Sequence, residues 1–267
     1  MRTTVIFNAK GGVGKTVTAV NMAAELATRP GCRGVALLDC DPQGNASTFC
    51  GADTDAATTY DVLMGTAELY YPENMQTARF GGTVRAPIDI LPASSELILA
   101  DIASQLHNKR IWLRALRDLV ECMAEDEAYD YVIIDCPPSF SAATCAALIA
   151  ADDVIVPIKL DAFSVDGLGE ITLQIDGMRQ FNPRLRIAGA LITMRDANTV
   201  VARDVELALR SSAIPVFKET IRKAEAVNAS TFQRLPLCYM PGKAARGVAA
   251  DYANFVSEYL EGGPHHG

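Results

Sequence analysis

Short runs rich in valine and isoleucine recur along the chain between longer segments whose apolar residues return every three to four positions. That alternation predicts a parallel sheet covered by helices. The strand-like runs fall at residues 4–8, 35–39, 88–92, 131–135, 154–157 and 187–193, with a shorter piece at 215–217. They are continuously apolar rather than alternating, the pattern of strands buried on both sides. Helical spacing marks residues 14–28, 95–106, 109–125, 142–150, 165–181, 200–211 and 244–260. The fold class is therefore α/β: a single-domain, mostly parallel twisted sheet with helices on both faces. No Pro/Gly/Ser linker, internal repeat or low-complexity tract divides the chain, so residues 1–261 are expected to form one domain and residues 262–267 a flexible C-terminal tail. His265 and His266 could bind a metal as a pair, and are read here as part of that unstructured end.

Composition narrows the class. The 267 residues are 49% hydrophobic and 21% charged, which excludes a disordered or fibrous chain. The longest small-apolar stretch, residues 142–151, has ten residues and is too short to span a bilayer. Met1 to Phe7 lead directly into a polar glycine loop and leave no room for a signal-peptide apolar region, so a cytoplasmic location is expected. Seven cysteines, at 32, 40, 50, 122, 136, 145 and 238, include no C-x-x-C spacing. Buried thiols in a reducing compartment are expected, not disulfides or a zinc site.

The formal net charge of −8 argues, as a bulk figure, against a nucleic-acid partner. Its distribution changes that inference. Residues 1–178 carry 12 basic and 24 acidic side chains, residues 179–246 carry 12 basic and 5 acidic, and residues 247–267 carry 3 acidic and no basic ones. The late basic block includes Arg195, Arg203, Arg222, Lys223 and Arg246. It could form a face for the DNA backbone without reading sequence, although ordinary solvated helix surfaces give similar counts.

Candidate chemistry begins at Ala9-Lys10-Gly11-Gly12-Val13-Gly14-Lys15-Thr16, between a predicted strand and a predicted helix. That context makes a glycine-rich string a phosphate cradle. Backbone N–H groups can converge on anionic oxygens where side chains are absent, and the helix N-terminus adds partial positive charge. Lys15 would neutralise the β- and γ-phosphates and the Thr16 hydroxyl would ligate Mg²⁺. The strict G-x-x-x-x-G-K-[ST] pattern fails at its first position, which is Ala9, and the second lysine, Lys10, has no place on a triphosphate already served by Lys15.

Lys10-Gly11-Gly12-Val13-Gly14-Lys15-Thr16 resembles the deviant Walker A box of the ParA/MinD family of P-loop ATPases, closest to ParA/Soj-type partition ATPases. The resemblance extends over nearly the whole chain. Asp39-Cys40-Asp41-Pro42-Gln43-Gly44-Asn45 looks like the family's D-x-D-P-Q-G-N box, and residues 129–139, ending Asp135-Cys136-Pro137-Pro138-Ser139, look like its Walker B strand. Asp166-Gly167-Leu168, Leu191 to Asp196 and the segment from Tyr239 to Tyr252 resemble later family segments.

The resemblance implies ATP and Mg²⁺ as cofactors and a slow, partner-stimulated hydrolysis to ADP and phosphate. It implies that Lys10 reaches across a homodimer to the partner's phosphates, and that loss of Asp41 blocks hydrolysis but permits dimerisation. Asp135, after an apolar strand, fits the Mg²⁺ site, since such a carboxylate is costly to bury without a cation or water. Asp41 can orient the attacking water near the metal. Asp39 is expected to support the geometry of the loop or metal, and Gln43 and Asn45 lie on a switch segment able to sense the γ-phosphate. Gly11, Gly12, Val13, Gly14 and Val17 complete the phosphate loop; Val17 replaces a common second threonine. Met194, Arg195 and the loop before Pro236, with Pro236 itself, are the adenine contacts by resemblance.

Partition ATPases of this family bind DNA non-specifically once dimerised by ATP, so nucleoid association and plasmid or chromosome segregation with a centromere-binding ParB-like or cargo adaptor partner are expected. Glu225 departs from this pattern, falling where relatives place a basic DNA contact. The chain starts at its first strand, so no N-terminal helix-turn-helix extension is expected. The acidic end, residues 252–261, would be repelled by anionic lipid, which disfavours a membrane role. Two alternatives stay open: an ATP-gated ATPase positioning a protein cargo without DNA, and an iron–sulfur reductase like the nitrogenase iron protein, with Cys40, Cys136 and Cys145 as ligands.

Overall fold

The structure, a computed structural model, describes residues 1–66, 73–106, 109–161, 164–196, 200–212 and 214–264. In chain order its elements are β1 (Arg2–Ile6), α1 (Lys15–Ala27), β2 (Val35–Asp39), α2 (Asn45–Cys50), α3 (Thr59–Met64), β3 (Gln76–Thr77), β4 (Ile88–Leu91), α4 (Leu97–Leu106), α5 (Lys109–Glu125), β5 (Tyr131–Asp135), α6 (Ala142–Ala150), β6 (Asp153–Lys159), α7 (Ser164–Met178), β7 (Arg186–Thr193), α8 (Val200–Arg210), α9 (Glu225–Gln233), a 3-10 turn (Leu237–Tyr239) and α10 (Lys243–Leu260). The strands form one sheet in the order β3-β4-β2-β5-β1-β6-β7. Every pairing is parallel except β3 with β4.

Continuous apolar strands bury both faces because successive side chains alternate. Val5, Phe7, Leu38, Ile134 and Val156 face one core, closed by Leu97, Leu119, Ala147 and Ile175 from α4, α5, α6 and α7. Ile6, Leu37, Ile133 and Ile155 face the other, closed by Leu26 of α1 and by Val248 and Phe255 of α10. A slip of one residue would exchange the two sets, so the register is held from both sides.

Where boundaries differ from the sequence reading, the reason is local. The strand read as ending at Pro157 continues to Lys159. The Pro157 carbonyl accepts a hydrogen bond from Asn8 Nδ2 at 2.7 Å, so the backbone here faces the point where β1 has ended and no ladder donor is missed. The piece at 215–217 is a single bridge of Val216 to Ala190, not a strand of the sheet. Of the residues expected to fray, Gly263 is buried and Pro264 packs against Gly189, where a Cβ would lie 2.9 Å from its Cγ. His265 and His266 lie outside the described residues.

Asp153, at the start of β6, ties both ends of the chain to the sheet. Fully buried, it accepts hydrogen bonds from Arg2 Nε at 2.6 Å and Tyr259 Oη at 2.8 Å, and pairs with Arg186. The Arg2 guanidinium lies 4.0 Å over the Tyr259 ring. Among the described residues no helix is long and apolar enough to cross a membrane.

Glu25, on the buried side of α1, is 9% exposed, and burial raises its carboxyl above the usual range, against the pull of Arg29. Raised in the folded state, it contributes stability that is lost as pH rises from its unfolded value through its folded one. Glu25→Gln is fixed in the neutral state. The thermal midpoint of the variant relative to wild type should therefore increase between pH 4 and pH 8; melts with a pH-independent difference would refute the assignment.

Candidate active site

β1 ends in the middle of the sheet, and the loop that follows is pinned from three directions. Phe7 N–H donates to the Ile155 carbonyl at 3.1 Å, Lys10 N–H donates to Asn8 Oδ1 at 2.8 Å, and Thr193 Oγ1 donates to the Val13 carbonyl at 2.8 Å. Gly12 (φ 70°) and Gly14 (φ 84°) occupy the left-handed region, where a side chain would strain the turn. α1 starts at Lys15 without a side-chain cap, so its first N–H groups remain available to the cradle. Lys15 is 7% exposed and its Nζ donates to the Lys10 carbonyl at 3.0 Å. Burial lowers its ammonium below the usual range, against the pull of Asp135 and Asp41.

The carboxylates are placed by strand register. Asp135 of β5 pairs with Ile6 of β1 on one side and Asp39 of β2 on the other. All lie at C-terminal strand ends, where open parallel sheets bind their ligands. Asp39 is fully occupied: it accepts from Ser47 N at 2.8 Å, Ser47 Oγ at 2.7 Å and Asp41 N at 3.1 Å. Burial nevertheless pushes its carboxyl up to about 6, the donors holding it back. Asp41, 6% exposed, accepts from Gln43 N at 2.9 Å. Asp135 is fully buried and neither of its carboxylate oxygens has a hydrogen-bond partner. Burial, and then the Asp39 carboxylate, push it well above the usual range, with Thr16 and Lys15 acting in the opposite direction.

An orphaned buried carboxylate beside a hydroxyl and a lysine fits a cation. Among the described residues no three His, Cys, Asp or Glu side chains converge as a ready cage. The thiols of Cys40 and Cys136, one residue beyond Asp39 and Asp135, are fully buried and burial raises both well above their usual value; Cys145, on α6, is half-buried.

Two adjoining cavities surround the loop. One, of about 520 Å³, is lined by Gly11, Gly12, Lys15, Thr16, Asp41, Gln43, Asn45, Pro138, Thr231 and Arg234, among others. The other, of about 420 Å³, is a slot lined by Val17, Thr193, Met194, Asp196, Ile221, Arg222, Lys223, Glu225, Val227, Asn228 and Tyr252, among others, and the two share Gly14, Val17 and Met194. Met194 adopts φ 50° at this junction. Pro236 is buried and lines neither cavity; its neighbour Leu237 donates its N–H to Asn21 Oδ1 at 2.8 Å, so the loop supplies Thr231 and Arg234 instead. Arg195 also lines neither cavity and pairs with Glu206 at 3.0 Å. Val13 is buried beneath the loop. Thr231 and Asn228 carry no signal in the sequence, where no glycine or strand end flags them, and Arg234 and Tyr252 fall there only within the late basic block and the segment from Tyr239 to Tyr252.

Lys10 turns away from the cradle that Lys15 occupies and pairs with Asp161. Near the slot, the Lys223 N–H donates to the Arg195 carbonyl at 3.1 Å, bringing Arg195, Arg222 and Lys223 together. Arg222 grips Asp251 through Nε and Nη2, both at 2.6 Å. Lys223, Arg203 and Arg246 are exposed, as is Glu225 in the first turn of α9. The basic block is thus partly neutralised within the chain, at Arg195 and Arg222.

A family model described as an AAA domain matches residues 1–187. The chromosome partitioning protein ParA of Caulobacter vibrioides is 38% identical, over 79% of this chain and 76% of its own length. The chromosome-partitioning ATPase Soj of Thermus thermophilus is 39% identical, over 79% of this chain and 76% of its own. A solved structure of cobyrinic acid a,c-diamide synthase from Mycobacterium smegmatis, with bound ATP analog and magnesium, superposes with a TM-score of 0.80 at 29% identity, over 100% of both chains.

Proposed function

Because this chain belongs to the ParA/MinD family of P-loop ATPases, we propose that it binds ATP and Mg²⁺ beside the phosphate loop, closes into a homodimer, and coats DNA without reading sequence. Hydrolysis is slow until a cargo-bound partner stimulates it, and the cycle positions plasmid or chromosomal DNA.

The observation that carries this reading is Asp135, a buried carboxylate with no partner directly beside the cradle. Asp135 and Thr16 hold the cation, which when bound neutralises charge on the phosphates. Lys15 supplies the fixed positive charge within the chain, and Asp41 holds the attacking water. Phosphoryl transfer asks for positioning and charge more than for covalent chemistry, and one chain offers no further loop cation to its own phosphates because Lys10 points elsewhere. The Lys10–Asp161 side chains are 42% and 31% exposed, and a pair so exposed contributes about 0–1 kcal/mol. Moving Lys10 to a partner's phosphates therefore costs little.

The DNA face is built around Arg203, Lys223 and Arg246, with Arg195 and Arg222 alongside. Lys223 and Arg222 also line the slot next to the phosphate loop, which supports a link between the basic cluster and closure of the nucleotide site. Arg195 and Arg222 are paired within the chain, so binding depends on doubling the face in a dimer and weakens steeply with salt.

Asp41→Ala tests the scheme by sedimentation and gel shift with Mg-ATP. The variant should form an ATP-dependent dimer that persists and retards DNA of any sequence at low salt. Monomers that ignore DNA would overturn the proposal, and ATP-dependent capture of a soluble protein without DNA would assign the chain to protein positioning instead.

A further inference from the structure

Arg234 closes α9 with φ 51° and ψ 45°, a left-handed conformation that glycine adopts freely and arginine does not. Its backbone is fixed on both sides. Arg234 N–H donates to the Thr231 carbonyl at 3.2 Å, the Arg234 carbonyl accepts from Gly81 N–H at 2.9 Å, and Leu235 N–H donates to the Ser230 carbonyl at 3.0 Å. These bonds fix the backbone at the cavity wall. A position whose backbone suits glycine carries instead a long cation that lines the cavity.

That cavity is the one shared with Gly11, Gly12, Lys15 and Asp41; Arg234 does not line the adjoining slot. Arg195, Arg210 and Arg222 are each held by a carboxylate, whereas among the described residues no acidic side chain pairs with Arg234. It is exposed at the rim, where an incoming anion can displace its water. A guanidinium so placed offers planar, two-pronged hydrogen bonding to a phosphate.

We propose that Arg234 is a phosphate-binding residue for the nucleotide of its own chain, a second cation that faces Lys15 across the cavity. The proposal rests on the nucleotide-binding function above and adds to it a contact outside the phosphate loop, in the segment that leads to α10. Its electrostatic character means that its contribution grows with the number of phosphates and shrinks with salt.

Titration calorimetry with Mg²⁺ and ATP, ADP or adenosine, at low and high salt, tests it on wild type, Arg234→Gln and Arg234→Gly. Both variants should bind ATP about tenfold more weakly, ADP less so, and adenosine as wild type does, with a shallower salt dependence for ATP. Arg234→Gly should melt no lower than wild type, because glycine accepts the left-handed backbone; this separates loss of a phosphate contact from loss of structure. Variants that bind ATP as wild type does, or that lose adenosine and ATP equally, would overturn the role of Arg234 alone. A wild-type protein that binds none of the three would overturn both this role and the nucleotide-binding function.

Discussion

Lys15→Ala should weaken Mg-ATP binding at least about 100-fold while leaving the fold intact. The ammonium is nearly buried, donates to the Lys10 carbonyl at 3.0 Å, and stands between the cradle and the carboxylates of Asp41 and Asp135. Removing one partner of a buried, hydrogen-bonded charge pair costs about 3–5 kcal/mol, which corresponds to roughly 10² to nearly 10⁴ in affinity. Alanine also leaves two acidic side chains facing the incoming phosphates with less to offset them. Stability should change little, because burial already disfavours the charged lysine and alanine suits the first turn of a helix. Calorimetry beside a thermal melt checks both halves: affinity within tenfold of wild type would remove Lys15 from the site.

Asp153→Ala should be the most damaging single change away from that site. Arg2, Arg186 and Tyr259 converge on this fully buried carboxylate, and Tyr259 Oη also lies 2.6 Å from Thr4 Oγ1. Alanine would leave cationic and hydroxyl groups without their acceptor, at a cost of about 3–5 kcal/mol. For a chain of this size that lowers the thermal midpoint by roughly 5–10 °C. Asp153→Asn keeps the shape and part of the hydrogen bonding but not the charge, and should fall between. A midpoint within about 3 °C of wild type for the alanine variant would show that the cluster is not a structural tie.

The central strands were legible because burial on both faces writes itself as unbroken valine and isoleucine, and the phosphate loop because close backbone approach demands glycine. The register that sets Asp39 beside Asp135 was not, since it follows from strand order, which no local pattern encodes. α2, α3 and α9 were missed for a different reason. Asn45 to Cys50 reads as a polar turn, yet it coils because Asp39 accepts from both the N–H and hydroxyl of Ser47. α9 is built from small and polar residues without an apolar stripe, so only its packing beside the 3-10 turn and α10 makes it a helix. The cavity residues it contributes, Thr231 and Arg234, were hidden with it. Pro236 itself is buried and lines neither cavity.

β1 lies between β5 and β6, partners that come far later in the chain. Until Asp153–Lys159 has been synthesised, the first strand has only one of its two neighbours, and the loop behind it lacks the Ile155 and Pro157 carbonyls that anchor Phe7 and Asn8. Such distant pairing slows folding, because long loops must close before any contact rewards them. A nascent chain therefore carries its nucleotide motif exposed and unformed through most of its synthesis. Ligand can stabilise only molecules that have already been released nearly complete, and truncated translation products should be inert toward ATP and vulnerable to proteases.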